Sequence, residues 1–195
     1  YGAGIPATAP KVESRRFITV DAARIAWTGS GMLPTQSITG AWSTQEWVRF
    51  LEGMPDALKP EQLRQLDEAY TLTGTPNGEI AQRWYPLAER SGYTEARAEM
   101  GMFLERVGRR KLIMPTYKAL VETDGGLAFA QHVFAKAKPG YHPITTGSVQ
   151  AVIDEAAAKS AATPAGAGTP SAGQTATAPE SLHPSDPVPM PAETR

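Results

Sequence analysis

Apolar residues recur every three or four positions through the middle of the chain, the spacing of one helix face, and strand-like alternation is scarce. Ser43-Thr44-Gln45-Glu46 fits a capping box, with Trp47, Phe50, Leu51 and Met54 following on one face and Pro55 closing the run. Pro60 suits a first helical position, because its missing amide hydrogen has no intrahelical partner there, and Leu63, Leu66 and Tyr70 supply the next stripe. Asn77 is a good N-cap for a run carrying Ile80, Trp84 and Leu87, and Thr94 is another before Ala96, Met100, Phe103, Leu104 and Val107. Gly108 suits the C′ position that ends that run, which leaves residues 109–114 as an extended connector before Pro115 opens a helix with Leu120 and Val121. Asp124-Gly125-Gly126 breaks that run. Leu127, Ala130, Phe134 and Ala137 form a further face ended by Pro139-Gly140, and a last helix is predicted over about 144–158.

Helices of this length with short connections pack as antiparallel neighbours, so the predicted fold is all-α, an irregular superhelix of stacked helical hairpins of the armadillo/HEAT type. No strict repeat at fixed period is present. Gly2, Gly4, Pro6 and Pro10 favour an irregular path, and residues 1–18 are read as a linker leading into a helical domain at 19–159. From Ser160 the composition turns to Ala, Pro, Thr, Ser and Gly, with only Leu182, Val188 and Met190 as large apolar side chains. Such a stretch cannot offset its ordering entropy by burial, and 160–195 is predicted to be a disordered tail.

The chain of 195 residues is 41% hydrophobic, enough for one self-standing core, and its formal charge of -1 lacks the broad basic face that nucleic acid requires. Nucleic acid is not an expected partner. With no cysteine there is neither a disulfide framework nor a thiolate metal site, and the compartment stays open. No apolar run reaches the roughly 20 residues of a membrane span, so no membrane partner is expected. Tyr1-Gly2-Ala3-Gly4 carries neither an initiator Met nor a signal peptide, and Tyr1 is read as an internal position of a longer protein.

His132, His142 and His183 form no His-Glu-x-x-His pair, so no zinc site and no resident cofactor are expected in this chain. His142, beside Pro143 and just ahead of a helix, is expected to be structural or capping. The one concentrated polar feature is Gly108-Arg109-Arg110-Lys111. Sequence physics alone favours cations complementing the negative end of the preceding helix, worth about 0.3–1 kcal/mol each. The other reading takes the connector as extended: positions i and i+2 then point the same way, and Arg109 and Lys111 converge on one anion. Glu79 and Arg83, one turn apart, are expected to form an ordinary surface ion pair. The four Trp residues are expected to be core or interface anchors.

Asn77-Gly78-Glu79-Ile80 with Arg83-Trp84, Gly108-Arg109-x-Lys111-x-x-x-Pro115-x-x-Lys118, and His142-Pro143 together resemble the C-terminal domain of the leukotriene A4 hydrolase family and its bacterial aminopeptidase relatives (peptidase family M1). Gly4-Ile5-Pro6 resembles the linker that enters that domain, and the similarity spans about residues 1–150. The resemblance implies a right-handed helical superhelix that packs against a zinc-bearing catalytic domain of the same parent chain and closes one side of the peptide cleft. It also implies that Arg109 and Lys111 bind the substrate's free carboxylate. The zinc-binding motif and the Gly-x-Met-Glu-Asn substrate motif of the family are missing here, so zinc is expected in the parent's catalytic domain and this chain alone is not expected to be catalytic. The competing reading is an independent helical-repeat scaffold that binds proteins on a concave face.

Overall fold

The computed structural model describes residues 14–162. Among them the chain forms nine α-helices and no strand: α1 (Arg15–Ser30), α2 (Gln36–Thr39), α3 (Thr44–Glu52), α4 (Pro60–Tyr70), α5 (Gly78–Arg90), α6 (Arg97–Arg106), α7 (Arg110–Val121), α8 (Gly126–Ala137) and α9 (Pro143–Ala162). The all-helical class is as the periodicity predicts.

Local chemistry explains several of the starts. The Glu46 carboxylate accepts from the Ser43 backbone N–H at 2.8 Å and from its hydroxyl at 2.7 Å, the predicted capping box of α3. Pro60 is the first residue of α4, and Asn77 Oδ1 accepts the Glu79 N–H at 3.0 Å to cap α5. Other boundaries differ from the sequence reading. α1 begins at Arg15, inside the expected linker, because Val20 and Trp27 give it a buried edge seven residues apart. α9 runs to Ala162, past the expected boundary at 159. Thr94 opens a 3-10 turn over Thr94–Ala96 and its side chain makes no cap.

The largest correction concerns the expected connector at 109–114. Residues 110–114 are helical, and Pro115 lies inside α7 instead of opening it. Burial of Leu112, Ile113, Thr116, Tyr117, Ala119 and Leu120 forms one continuous helical stripe. That packing offsets the roughly 3 kcal/mol penalty of an interior proline. Val107 is the C-cap of α6, with extended backbone at φ -106°, and Gly108 follows it at the expected C′ position without a left-handed φ.

The odd-numbered helices stand side by side in one row and point the same way. Arg16 pairs with Glu46 and Asp21 with Arg49, and Arg24 donates to the Gly53 carbonyl, which sets α1 parallel to α3. Thr44 meets Asn77 and Glu52 meets Arg83, which sets α3 parallel to α5. Glu79 meets Lys111 and Glu89 meets Thr123, which sets α5 parallel to α7. Thr145 donates to the Gly108 carbonyl at 3.3 Å, placing the start of α9 beside the start of α7. The even helices carry the chain back between them, and α6 and α8 pack on each other behind the row.

α5 is the centre of the row, with Ile80, Ala81, Gln82, Trp84, Tyr85, Pro86, Leu87, Ala88 and Glu89 all buried. Tyr141 ties the last hairpins together: its hydroxyl donates to the Leu104 carbonyl at 2.6 Å and lies 3.2 Å from the Tyr117 hydroxyl, which is left to donate to it.

The first helices carry an acid-sensitive pair of carboxylates. Hydrogen bonds from Ser43 hold Glu46 below its ordinary value, and Arg49 with Arg24 does the same for Asp21. Both groups titrate lower folded than unfolded, so their contribution is present above the ordinary glutamate value of 4.5 and lost as pH falls through the folded values. The melting temperature is therefore expected to drop on acidification below that point, and Glu46→Gln to flatten the drop. Thermal melts of both proteins across the acid range check this; parallel profiles would show that Glu46 contributes nothing.

Candidate basic site at the start of helix seven

The parallel row brings the starts of α3, α5 and α7 to one edge. Asn77 links the first two, because its Nδ2 donates to Thr44 Oγ1 at 2.8 Å while its Oδ1 caps α5. Gly78 lies at the contact of the next two: a Cβ placed there would sit 2.9 Å from Leu112 Cδ1, so a larger residue would require the Leu112 side chain to shift. The approach puts Glu79 opposite Lys111, whose ammonium donates to both carboxylate oxygens at 3.1 and 3.2 Å. The buried Gln82 amide donates to the same carboxylate at 2.6 Å.

Arg109 is the N-cap of α7, with extended backbone at ψ 110°, and Arg110 and Lys111 are its first two helical residues. All three are exposed. The extended connector expected to align Arg109 with Lys111 is therefore absent: Arg109 caps the helix, and Lys111, in its first turn, pairs with Glu79. The capping alternative fails as well. These cations stand at the positive end of the α7 dipole, where a cation is disfavoured, and the first turn holds no acidic residue. Neither Arg109 nor Arg110 has a carboxylate partner among the described residues.

The expected pair of Glu79 with Arg83 is also corrected. Arg83 pairs with Glu52 of α3 at 3.0 Å, and Glu79 with Lys111 of α7. The one-turn rule considers only one helix, and here the neighbouring helices of the row present closer partners. Lys111 as a partner of Glu79 was missed for the same reason: no local spacing signals a contact between two helices.

His142 accepts the Ile144 N–H through Nδ1 at 3.2 Å and caps α9, the role its position predicts. His132 is exposed on α8, and His183 lies outside the described residues. No three His, Asp or Glu side chains gather into a metal-binding cluster among the described residues. Of the four Trp residues, Trp84 is fully buried and donates to Thr73 Oγ1 at 2.9 Å, whereas Trp42 is half-buried in a ring cluster with Trp47 and Phe50. A groove of about 660 Å³ lies at the far ends of α7 and α9 and is lined by residues that include Lys118, Lys159, Glu122, Asp124 and Glu155. Its mixed charge selects no one class of ion, in contrast to the basic edge.

Leucine aminopeptidase 2 of Pyricularia oryzae is 32% identical to this chain over 121 residues, 60% of this chain and 19% of that protein. A leukotriene A-4 hydrolase homolog of Botryotinia fuckeliana is 27% identical over 158 residues, 80% of this chain and 24% of that protein. The chain thus spans about a fifth to a quarter of the length of these relatives. The solved structure of native yeast LTA4 hydrolase superposes with a TM-score of 0.57 at 19% identity over 74% of this chain and 27% of that one, a likeness of fold. The family described as Leukotriene A4 hydrolase, C-terminal, matches residues 42–153, which hold every helix from α3 to the middle of α9. The chain belongs to the leukotriene A4 hydrolase C-terminal domain family.

Proposed function

We propose that this chain is the helical C-terminal domain of a longer zinc aminopeptidase, packed on the catalytic domain of the same parent and closing one side of its peptide cleft. Arg109 and Lys111 bind the free carboxylate of the peptide substrate. Family membership and relatives named leucine aminopeptidase support the first part. One observation carries the second: the cations at the start of α7 oppose the helix dipole, and the Arg109 guanidinium has no carboxylate partner among the described residues. An external anion is what such a cluster lacks.

A guanidinium grips a carboxylate with two parallel hydrogen bonds, and an ammonium beside it adds a compact point charge. Together they fix the far end of a peptide whose other end undergoes hydrolysis. Zinc, which in this reading belongs to the catalytic domain, supplies activation of water there; the described residues here offer no donor set for it. The work of this chain is binding and orientation.

Kinetics of the full-length protein on free-acid tripeptides and their C-terminal amides test the site. Arg109→Ala is expected to reduce kcat/KM on free acids about ten- to a hundredfold, the effect of losing a charged hydrogen bond, with little change on amides. Lys111→Ala is expected to act in the same direction, and Arg110→Ala to act less. Equal losses on acids and amides, or a dominant effect of Arg110, would overturn the assignment.

A further inference from the structure

Lys111, assigned above to the substrate carboxylate, is already held by a carboxylate of the protein. Glu79 receives two hydrogen bonds from its ammonium, at 3.1 and 3.2 Å. Glu79 is itself anchored: it is two-thirds buried, Gln82 donates to it at 2.6 Å, and Asn77 caps its backbone N–H at 3.0 Å. Lys111 is the more exposed partner, its side chain 61% accessible. The carboxylate is thus the fixed member of the pair and the ammonium the adjustable one.

An ammonium has three donors, and with Glu79 taking its share an incoming carboxylate is served by what is left. Two carboxylates hydrogen-bonded to one ammonium lie within about 6 Å of each other, twice a hydrogen-bond length. Glu79 therefore serves two ends. It removes rotamer freedom from a long side chain before the ligand arrives, and it sets a repulsion felt most by a ligand bringing a second negative charge.

We propose that Glu79 is a specificity-determining residue of this site, holding Lys111 in place and discriminating against peptides whose C-terminal residue carries a side-chain carboxylate. The inference rests on the reading that Lys111 addresses the substrate carboxylate.

The test compares tripeptides ending in Asp with the same peptides ending in Asn, both as free acids, on the full-length protein. The pair is nearly isosteric and differs by one charge. Glu79→Gln is expected to raise the ratio of kcat/KM for the Asp-ending over the Asn-ending peptide about three- to tenfold, allowing for screening at a partly exposed site. In Glu79→Gln combined with Lys111→Met the rise is expected to disappear. A role confined to stabilising α5 would lower the melting temperature and scale both peptides alike, leaving the ratio where it was. An unmoved ratio in a Glu79→Gln protein that still prefers acids over amides overturns this inference alone, as does an equal rise in the double variant. If Lys111→Met and Arg109→Ala leave the preference for acids over amides intact, the carboxylate site itself falls and this inference with it.

Discussion

Arg97→Ala is expected to destabilise the helical domain by about 3–5 kcal/mol, because it strands a buried carboxylate without its counter-charge. Glu89, near the end of α5, is only 3% exposed. Its oxygens accept from Arg97 Nε at 3.1 Å, Arg97 Nη2 at 2.6 Å and Thr123 Oγ1 at 2.5 Å, so one carboxylate joins α5, the start of α6 and the turn after α7. Arg97 also lies over the Phe129 ring at 5.7 Å and carries α8 into the same junction. The pair itself need not be strongly stabilising, since burying two charges offsets most of their attraction; the damage comes from removing one of them. Urea denaturation of the single variant and of the combination Arg97→Met with Glu89→Leu separates the two effects. The combination is expected to recover much of the loss. A single-variant loss below about 1 kcal/mol would place the pair with ordinary surface contacts.

Trp84→Ala is expected to have an effect of the same size, about 3–5 kcal/mol, as a large side chain leaves a closed core. Trp84 is fully buried in α5, packs edge-on against Tyr93 with ring centroids 6.1 Å apart, and satisfies its indole N–H on Thr73. Truncation opens a void and also leaves the Thr73 hydroxyl without that donor. Against a typical total of about 5–15 kcal/mol for a domain, the variant approaches the limit of stable folding. Trp84→Phe, which retains most of the volume, is expected to lose less. Chemical denaturation followed by far-UV circular dichroism provides the measurement. Unchanged stability together with lost activity of the full-length protein would return Trp84 to the interface role the sequence allowed.

What was legible in the sequence was local. Ser43 with Glu46, Asn77, Pro60 and His142-Pro143 are recognisable because each cap is satisfied within three or four residues of chain. The all-helical class follows from the same short-range periodicity. Misreadings arise where a second helix decides the outcome. Pro115 signals a helix start by itself, yet α7 begins five residues earlier because Leu112 and Ile113 pack in the core. Arg83 and Glu79 each find a partner across the row instead of along their own helix. α1 gives little sequence signal because Val20 and Trp27 are its only buried residues. At the candidate site the residues were legible and their arrangement was not: Arg109 and Lys111 stand out in the sequence, while the carboxylate gripping Lys111 lies one helix away.

The row and its return arms also differ in how much they constrain chain length. Every helix of the row has its neighbour's start beside its own, tied by a side-chain contact such as Asn77 to Thr44 or Thr145 to Gly108. The returning helices α2 and α4 have 4 and 11 residues and no neighbour in the row aligned start to start with them. An inserted residue within α5 or α7 would rotate every following side chain by about 100° and carry Glu79, Lys111 or Glu89 away from its partner. The same insertion in the loop flanking α2 or α4 leaves each ladder of contacts in register. Insertions and deletions among members of this family are accordingly expected to collect in the return arms, leaving the basic edge in place.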